Sequence, residues 1–366
     1  MKVRRLIRLT AALLVVAVGT WGMAADDDEE PRLQDKVVLN TPDIVSSDYV
    51  AFSPDSKKLL TFGVGDGRAR LWDVAGEKQI AVFRHGNTIT FLDFRKRRVT
   101  IPSDVCAAAF SPDGKTIATA ETDAEIWLWD AGSGKKITSF AGHKDINALL
   151  YSGDGKKLSA AVRGELRVYD VKDGRLLRSR NIDPRKRRGW PRPVTASYAM
   201  KRPMMGFGTE LYDAATGDLC NRLMGDVGGL FACTAITADQ RKVATCGTST
   251  IRIWDTKAED QDRGKPKDLA FEHLSVKVRC LAFSPNDKIL AAGFKYDPPP
   301  PGVGGGRGGV LLIDVSSGKL LENHDAGIAA VRSLAFSPDG RLLATGDRDW
   351  TIKLWDVPTA WRKKDK

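Results

Sequence analysis

The chain has 366 residues, of which 42% are hydrophobic, 35 are glycine and 17 are proline. That is enough to bury a large core, as one big domain or two ordinary ones. Between residues 50 and 357 the sequence is cut every ten or so positions by Gly, Pro, Asp or Asn, which excludes long helices and points to many short strands. Its formal charge is +11, from 57 Lys and Arg against 46 Asp and Glu.

The first segment reads as a targeting signal. "MKVRRLIRLT" carries Lys2, Arg4, Arg5 and Arg8, and "AALLVVAVGTWGMAA" follows as an apolar run ending in small residues. That is the order of a secretory signal, and the run is shorter than the roughly 20 apolar residues of a membrane anchor. Residues 1–25 are therefore expected to be a cleaved signal and 26–35 an acidic leader; an uncleaved anchor is the alternative. Loss of the four basic residues would lower the charge from +11 to +7. The remaining basic excess gathers at Arg95, Lys96, Arg97 and Arg98, at Arg185, Lys186, Arg187 and Arg188, and in the tail, residues 362–366. Such clusters attract polyanions or an anionic surface, with solvated loop charge as the plainer reading. Nucleic acid is not an expected partner of an exported chain.

The rest of the chain repeats. Seven dipeptides of Trp-Asp type end similar segments: Trp72-Asp73, Trp129-Asp130, Tyr169-Asp170, Tyr212-Asp213, Trp254-Asp255, Ile313-Asp314 and Trp355-Asp356. Their Asp residues are spaced 57, 40, 43, 42, 59 and 42 apart, and intervals of about 40–45 mark propeller blades. Ahead of each pair lies a strand, a turn such as SPDG at Ser111 or Ser337, and another strand. Pro presets φ, Asp favours the bend and Gly accepts a positive φ. A fourth strand follows in six copies, as in "KQIAVF" and "KKITSF". The fourth repeat lacks the turn signature. In the sixth, Pro298 to Gly309 is expected to be a loop between the second and third strands. Asn87 to Ser103 lengthens the link between the first two repeats.

These segments resemble the WD40-repeat family over residues 36–361. The resemblance implies an all-β fold, a seven-bladed β-propeller of four-stranded antiparallel blades. The seventh copy lacks its outer strand, and Val37 to Leu39 is expected to supply it by pairing with Ile352 to Val357, closing the ring. In the family a Ser or Thr, an Asp, a Trp and a His from a Gly-His pair form a buried network. The matching residues are Thr119, Asp123 and Trp129, then Thr345, Asp349 and Trp355, then Asp66 and Trp72, with His143 as a candidate fourth member.

Catalytic chemistry finds little support. The four histidines lie on different repeats without metal-ligand spacing, and no GxSxG, HExxH or P-loop is present. No cofactor or metal is expected. The five cysteines cannot all pair within one chain; Cys233 and Cys246 fall on neighbouring strands, within reach of a disulfide. The resemblance implies a monomeric, non-enzymatic scaffold that holds an unidentified protein or peptide; from the signal-like segment it is expected to act outside the cytoplasm, periplasmic or secreted. Its candidate contacts are Glu121, Thr122, Arg163, Arg348 and Trp350, in loops between second and third strands, where Trp350 is an interface-anchor type. An envelope module binding polyanions through the basic loops is the alternative, and a propeller enzyme the third.

Overall fold

Each hairpin is set by its turn. In the turn at residue 111, Ser111 Oγ donates to Asp113 Oδ1 at 2.6 Å and accepts the Thr116 N–H at 2.9 Å. Asp113 Oδ1 also takes the Lys115 N–H, and Gly114 stands at φ +69°. The same Ser-Asp pairing recurs at Ser53, Ser152 and Ser337, with Thr237–Asp239 and Ser284–Asn286 as variants. Where the last turn residue is not glycine, Ser56, Gln240 and Asp287 adopt the positive φ instead, at a modest steric cost.

The computed structural model describes residues 31–40, 48–63, 67–86, 88–92, 98–102, 104–121, 125–144, 146–162, 165–181, 203–207, 210–222, 233–246, 250–256, 267–270, 276–298, 306–349 and 351–362. Strand β1 is Gln34–Asn40. Blade 1 holds β2 (Tyr49–Phe52), β3 (Lys58–Phe62), β4 (Arg68–Asp73) and β5 (Lys78–Arg84), followed by a hairpin of β6 (Thr88–Leu92) and β7 (Arg98–Pro102). Blade 2 holds β8 (Val105–Phe110), β9 (Thr116–Glu121), β10 (Glu125–Asp130) and β11 (Lys136–Ala141), and blade 3 holds β12 (Ala148–Tyr151), β13 (Lys157–Val162), β14 (Glu165–Asp170) and β15 (Leu176–Asn181). Blade 4 holds β16 (Met204–Phe207), β17 (Glu210–Asp213) and β18 (Leu219–Arg222). Blade 5 holds β19 (Cys233–Ile236), β20 (Lys242–Cys246), β21 (Thr250–Asp255) and β22 (Lys267–Ala270). Blade 6 holds β23 (Val276–Phe283), β24 (Ile289–Tyr296), β25 (Arg307–Asp314) and β26 (Leu320–Ala329), and blade 7 holds β27 (Val331–Phe336), β28 (Leu342–Asp347) and β29 (Thr351–Asp356) before a short α1 (Thr359–Arg362).

This is an all-β, seven-bladed propeller with antiparallel pairing throughout. Six of the seven Trp-Asp-type pairs end the third strand of a blade, and Tyr212-Asp213 ends β17, the strand before the last in blade 4. Blade 7 is completed by β1, with Val37 opposite Leu354 and Leu39 opposite Ile352. Both terminal segments thus build one sheet, in which β1 pairs the outer edge of β29. Leu39 and Ile352 join Phe52, Leu59 and Trp72 in the cluster that seals blade 7 to blade 1. Five further clusters run around the ring, mostly between neighbouring blades. Trp254 and Trp355 are fully buried, each worth roughly 3 kcal/mol of apolar burial.

Several details depart from expectation. The ring begins at Gln34, inside the acidic leader, and Leu33 is already buried. The insertion expected to be loop through Gly309 ends earlier, because β25 begins at Arg307. Gly308 and Gly309 pair with Lys295 and Phe294, where a Cβ at either would strike backbone oxygen; their lack of side chains is what lets the strand continue. Blade 4 shows three strands among the described residues, in the order β16-β17-β18. Cys233 and Cys246 are direct cross-strand partners and form a disulfide across β19 and β20.

Candidate functional site

The buried polar chemistry lies inside blades, where it positions the loops. In blade 2 the Trp129 indole N–H donates to Thr119 Oγ1 at 2.7 Å, and the Thr119 hydroxyl is hydrogen-bonded to His85 Nε2 at 2.6 Å. Burial, and then the Lys136 charge, push the His85 imidazole down to about 3, so the ring is neutral. The other nitrogen, Nδ1, faces Glu121 Oε1 at 3.6 Å. His85 also stacks on Trp127 at 4.5 Å, and the Lys136 ammonium sits over the far part of that ring system at 3.3 Å. The other tryptophans follow a simpler form of the rule. Trp72 donates to Thr61 at 2.9 Å, Trp254 to Thr245 at 2.9 Å and Trp355 to Thr345 at 3.0 Å.

The histidine of blade 2 is therefore His85, and His143 is not joined to a Thr–Trp pair. His143 Nδ1 instead meets the Lys144 carbonyl. Blade 3 carries Tyr169 in place of Trp and so has no indole N–H to offer; its Ser159 hydroxyl turns to the Ala214 carbonyl of blade 4. Asp349 is exposed rather than buried in a network. Asp347 takes the buried place, accepting the N–H groups of Asp349 and Thr351 at 2.9 Å each, and burial pushes its carboxyl up. Asp66 and Asp123 lie outside the described residues.

The turns between second and third strands share one face of the ring with the connections between blades. The Gly67 N–H, in such a turn of blade 1, donates to Asp104 at the entry to blade 2. The Arg348 N–H donates to Ala330 O at the start of blade 7, and the Ala330 N–H to Gly306 O. Across the closure, Arg332 pairs with the buried Asp48 at 2.7 Å. In blade 6, Lys277 hydrogen-bonds Asp297, with Lys295 at 3.8 Å; the Lys277 bond and then the neighbouring cations hold the Asp297 carboxyl low. This loop face is the candidate site.

Among the candidate contacts, Arg348 is exposed on that face. Glu121, the last residue of β9, is fully buried and turned toward His85, which removes it from the contact set. Thr122, Arg163 and Trp350 lie outside the described residues. Of the basic groups, Arg98 is exposed at the start of β7, across from Leu92. Arg95, Lys96, Arg97 and Arg185 to Arg188 lie outside the described residues. The strand ends beside both stretches are described: Leu92 pairs with Arg98 in the β6–β7 hairpin, and Asn181, ahead of the second run, pairs with Glu165 at the loop-face end of blade 3.

Among the described residues, no group of three or more His, Cys, Asp or Glu is placed to hold a metal ion. No helix among them is long and apolar enough to cross a membrane.

Comparison with known proteins agrees with this architecture. The repeat model described as "WD domain, G-beta repeat" matches residues 47–73, 95–130, 134–170, 267–297 and 316–356. The chain is 26% identical over 262 residues to Periodic tryptophan protein 2 of Arabidopsis thaliana, covering 69% of this chain and 22% of that protein. It is 35% identical over 89 residues to the COMPASS component SWD1 of Saccharomyces cerevisiae, 22% of this chain and 18% of that one. With WD repeat-containing protein 1 of Bos taurus it shares 29% over 159 residues, 33% of this chain and 26% of the relative. The chain thus spans about a quarter or less of the length of these relatives. Spacing, strand order and matched segments agree that the chain is built of WD40 repeats, set in a ring as a seven-bladed β-propeller.

Proposed function

We propose that this chain is a non-enzymatic scaffold that holds a protein or peptide partner on its loop face. The observation that carries it is the division of labour in the ring. Buried titratable groups such as His85, Glu121 and Asp347 lie inside blades, where His85 and Asp347 are engaged in holding turns and rings, while the loop face presents exposed groups such as Arg348. A catalytic site needs convergent groups open to substrate, and these are closed off. One relative is by its name a component of an assembly, and an assembly role of that kind is what we infer here.

We further infer that the scaffold works outside the cytoplasm, in the periplasm or secreted, as a monomeric ring. The signal-like order of residues 1–25 supports export, and a disulfide between Cys233 and Cys246 suits an oxidising compartment. A second reading, binding of polyanions through Arg95 to Arg98 and Arg185 to Arg188, is favoured by one feature: Arg98 is exposed at the start of β7, across from Leu92 in the β6–β7 hairpin.

Affinity capture from envelope extracts separates the two. The bait would be wild type, Trp350→Ala, Arg348→Glu, and a form with Arg185, Lys186, Arg187 and Arg188 neutralised, each at low and high salt. The scaffold reading predicts a defined protein held at both salts and lost from Trp350→Ala or Arg348→Glu. Salt-sensitive capture of anionic material, lost only with the basic run, would replace it with the polyanion reading.

A further inference from the structure

The outer strands carry a repeated irregularity. In blades 1, 2, 3, 4, 6 and 7 the pairing of the outermost strand with its neighbour shifts by one residue opposite the Trp-Asp-type pair. The extra residue is Cys220 in β18 and Lys36 in β1, but an aliphatic one in the other four: Ile80 in β5, Ile137 in β11, Leu177 in β15 and Leu321 in β26. A bulge of this kind twists the strand and blunts its edge against pairing. It does not require an aliphatic side chain in solvent, yet Ile80 is 42% exposed, Ile137 56%, Leu177 40% and its neighbour Leu176 44%. These residues belong to three consecutive blades. Each outer strand abuts the turn of the next blade: Gly134, before β11, lies against Ala81 of β5, and Gly174, before β15, lies against Phe140 of β11.

Blade 6 shows what such a position does when it is covered. Leu321 is half-buried in a cluster that includes Leu33 and Trp361, one from each terminal segment of the chain. The Leu33 N–H donates to Glu322 Oε2 at 2.9 Å, beside the bulge, and Asn286 Nδ2 donates to the Trp361 carbonyl at 2.8 Å. In this blade the fold seats a Leu and a Trp from short segments over the rim. The equivalent position in blades 1 to 3 has no such cover among the described residues.

We propose that the rim of blades 1 to 3 is a second docking surface, which receives an acidic peptide segment bearing Leu or Trp side chains. The apolar half of that chemistry is the one blade 6 already accepts. The acidic half follows from charge: Lys78, Lys135 and Arg175 stand exposed two residues before Ile80, Ile137 and Leu177, one cation per blade, and none has an ion pair among the described residues. Aliphatic anchors rimmed by unpaired cations match a segment that alternates large apolar residues with Asp and Glu. This surface rests on the scaffold reading but lies apart from the loop face, so the two are tested separately.

The probe is a random peptide library displayed on phage, selected against the whole protein. Selected peptides are expected to be rich in Leu, Trp, Asp and Glu. They are expected to lose about tenfold or more of their affinity for Ile80→Ser/Ile137→Ser/Leu177→Ser, and similarly for Lys135→Glu/Arg175→Glu, a second variant that leaves the apolar anchors in place. Unchanged melting of both variants confirms that the ring is intact. Peptides that depend on Arg348 and ignore both rim variants overturn the rim proposal while sparing the scaffold reading; a selection that yields no binder overturns both. Concentration-dependent dimerisation abolished by the triple variant assigns the rim to a second copy and overturns the peptide proposal.

Discussion

Thr119 ties together two rings, the Trp129 indole and the His85 imidazole, whereas Thr61 holds only Trp72 among the described residues. The consequence is unequal. Thr119→Val keeps the shape but leaves two buried polar groups without a partner, at about 3 kcal/mol; Thr61→Val leaves one, at about 1.5 kcal/mol. Urea unfolding of the two variants should show this ratio, and equal losses would mean that His85 contributes nothing to blade 2. At this scale the sequence was only partly legible. The Thr119–Trp129 and Thr345–Trp355 pairs follow the ten-residue spacing. Thr61 and Thr245 stand 11 and nine residues before their tryptophans, because the tight turn tolerates one residue more or less, and a fixed template passes over them. His85 was hidden for a different reason: the β6–β7 hairpin separates it from the blade it serves. Glu121 and Asp347 look like loop residues in one dimension, and only the length of the preceding strand shows that they stay inside.

At the scale of the element, the Ser-Asp turns are both the clearest signal in the sequence and a source of acid sensitivity. In Asp113 and Asp154 the hydrogen bond from Ser111 or Ser152, then a backbone N–H, lowers the carboxyl pKa from its ordinary 3.8. A carboxylate depressed in the folded state stabilises the fold fully above its unfolded value. That contribution is lost as the pH falls below 3.8 through the folded value. The pair Asp113→Asn/Asp154→Asn should therefore cost about 1 kcal/mol at neutral pH, discounted for their exposure to solvent. It should also flatten the fall of stability below pH 3.8; an unchanged acid limb would show that the turns hold without the ionised form. The closing strand was legible as well, since Val37 to Leu39 lies opposite Ile352 to Leu354 as its likeness to the other outer strands implies. The sixth blade was less so: a Pro- and Gly-rich run looks like loop throughout, and the strand beginning at Arg307 depends on Gly308 and Gly309 meeting the backbone of β24.

For the whole molecule, the seven terminators predicted the ring because period, turn and strand order all point to the same unit. What one dimension could not provide was the face on which each insertion emerges, since that depends on strand register. The register puts Asn181 ahead of the second basic stretch, Arg348 and the Gly306–Ala330 contact on one side, and the Ser-Asp turns at the opposite ends of the blades. The central claim is that partners are held on the loop face. Its most direct test is site-specific photocrosslinking of the full chain, with a photoreactive residue at Arg348 on that face or at Asp113 in a turn of the opposite one. Discrete protein adducts from position 348 and none from position 113 are the predicted result; adducts from 113 alone, or the same adducts from both, would contradict it.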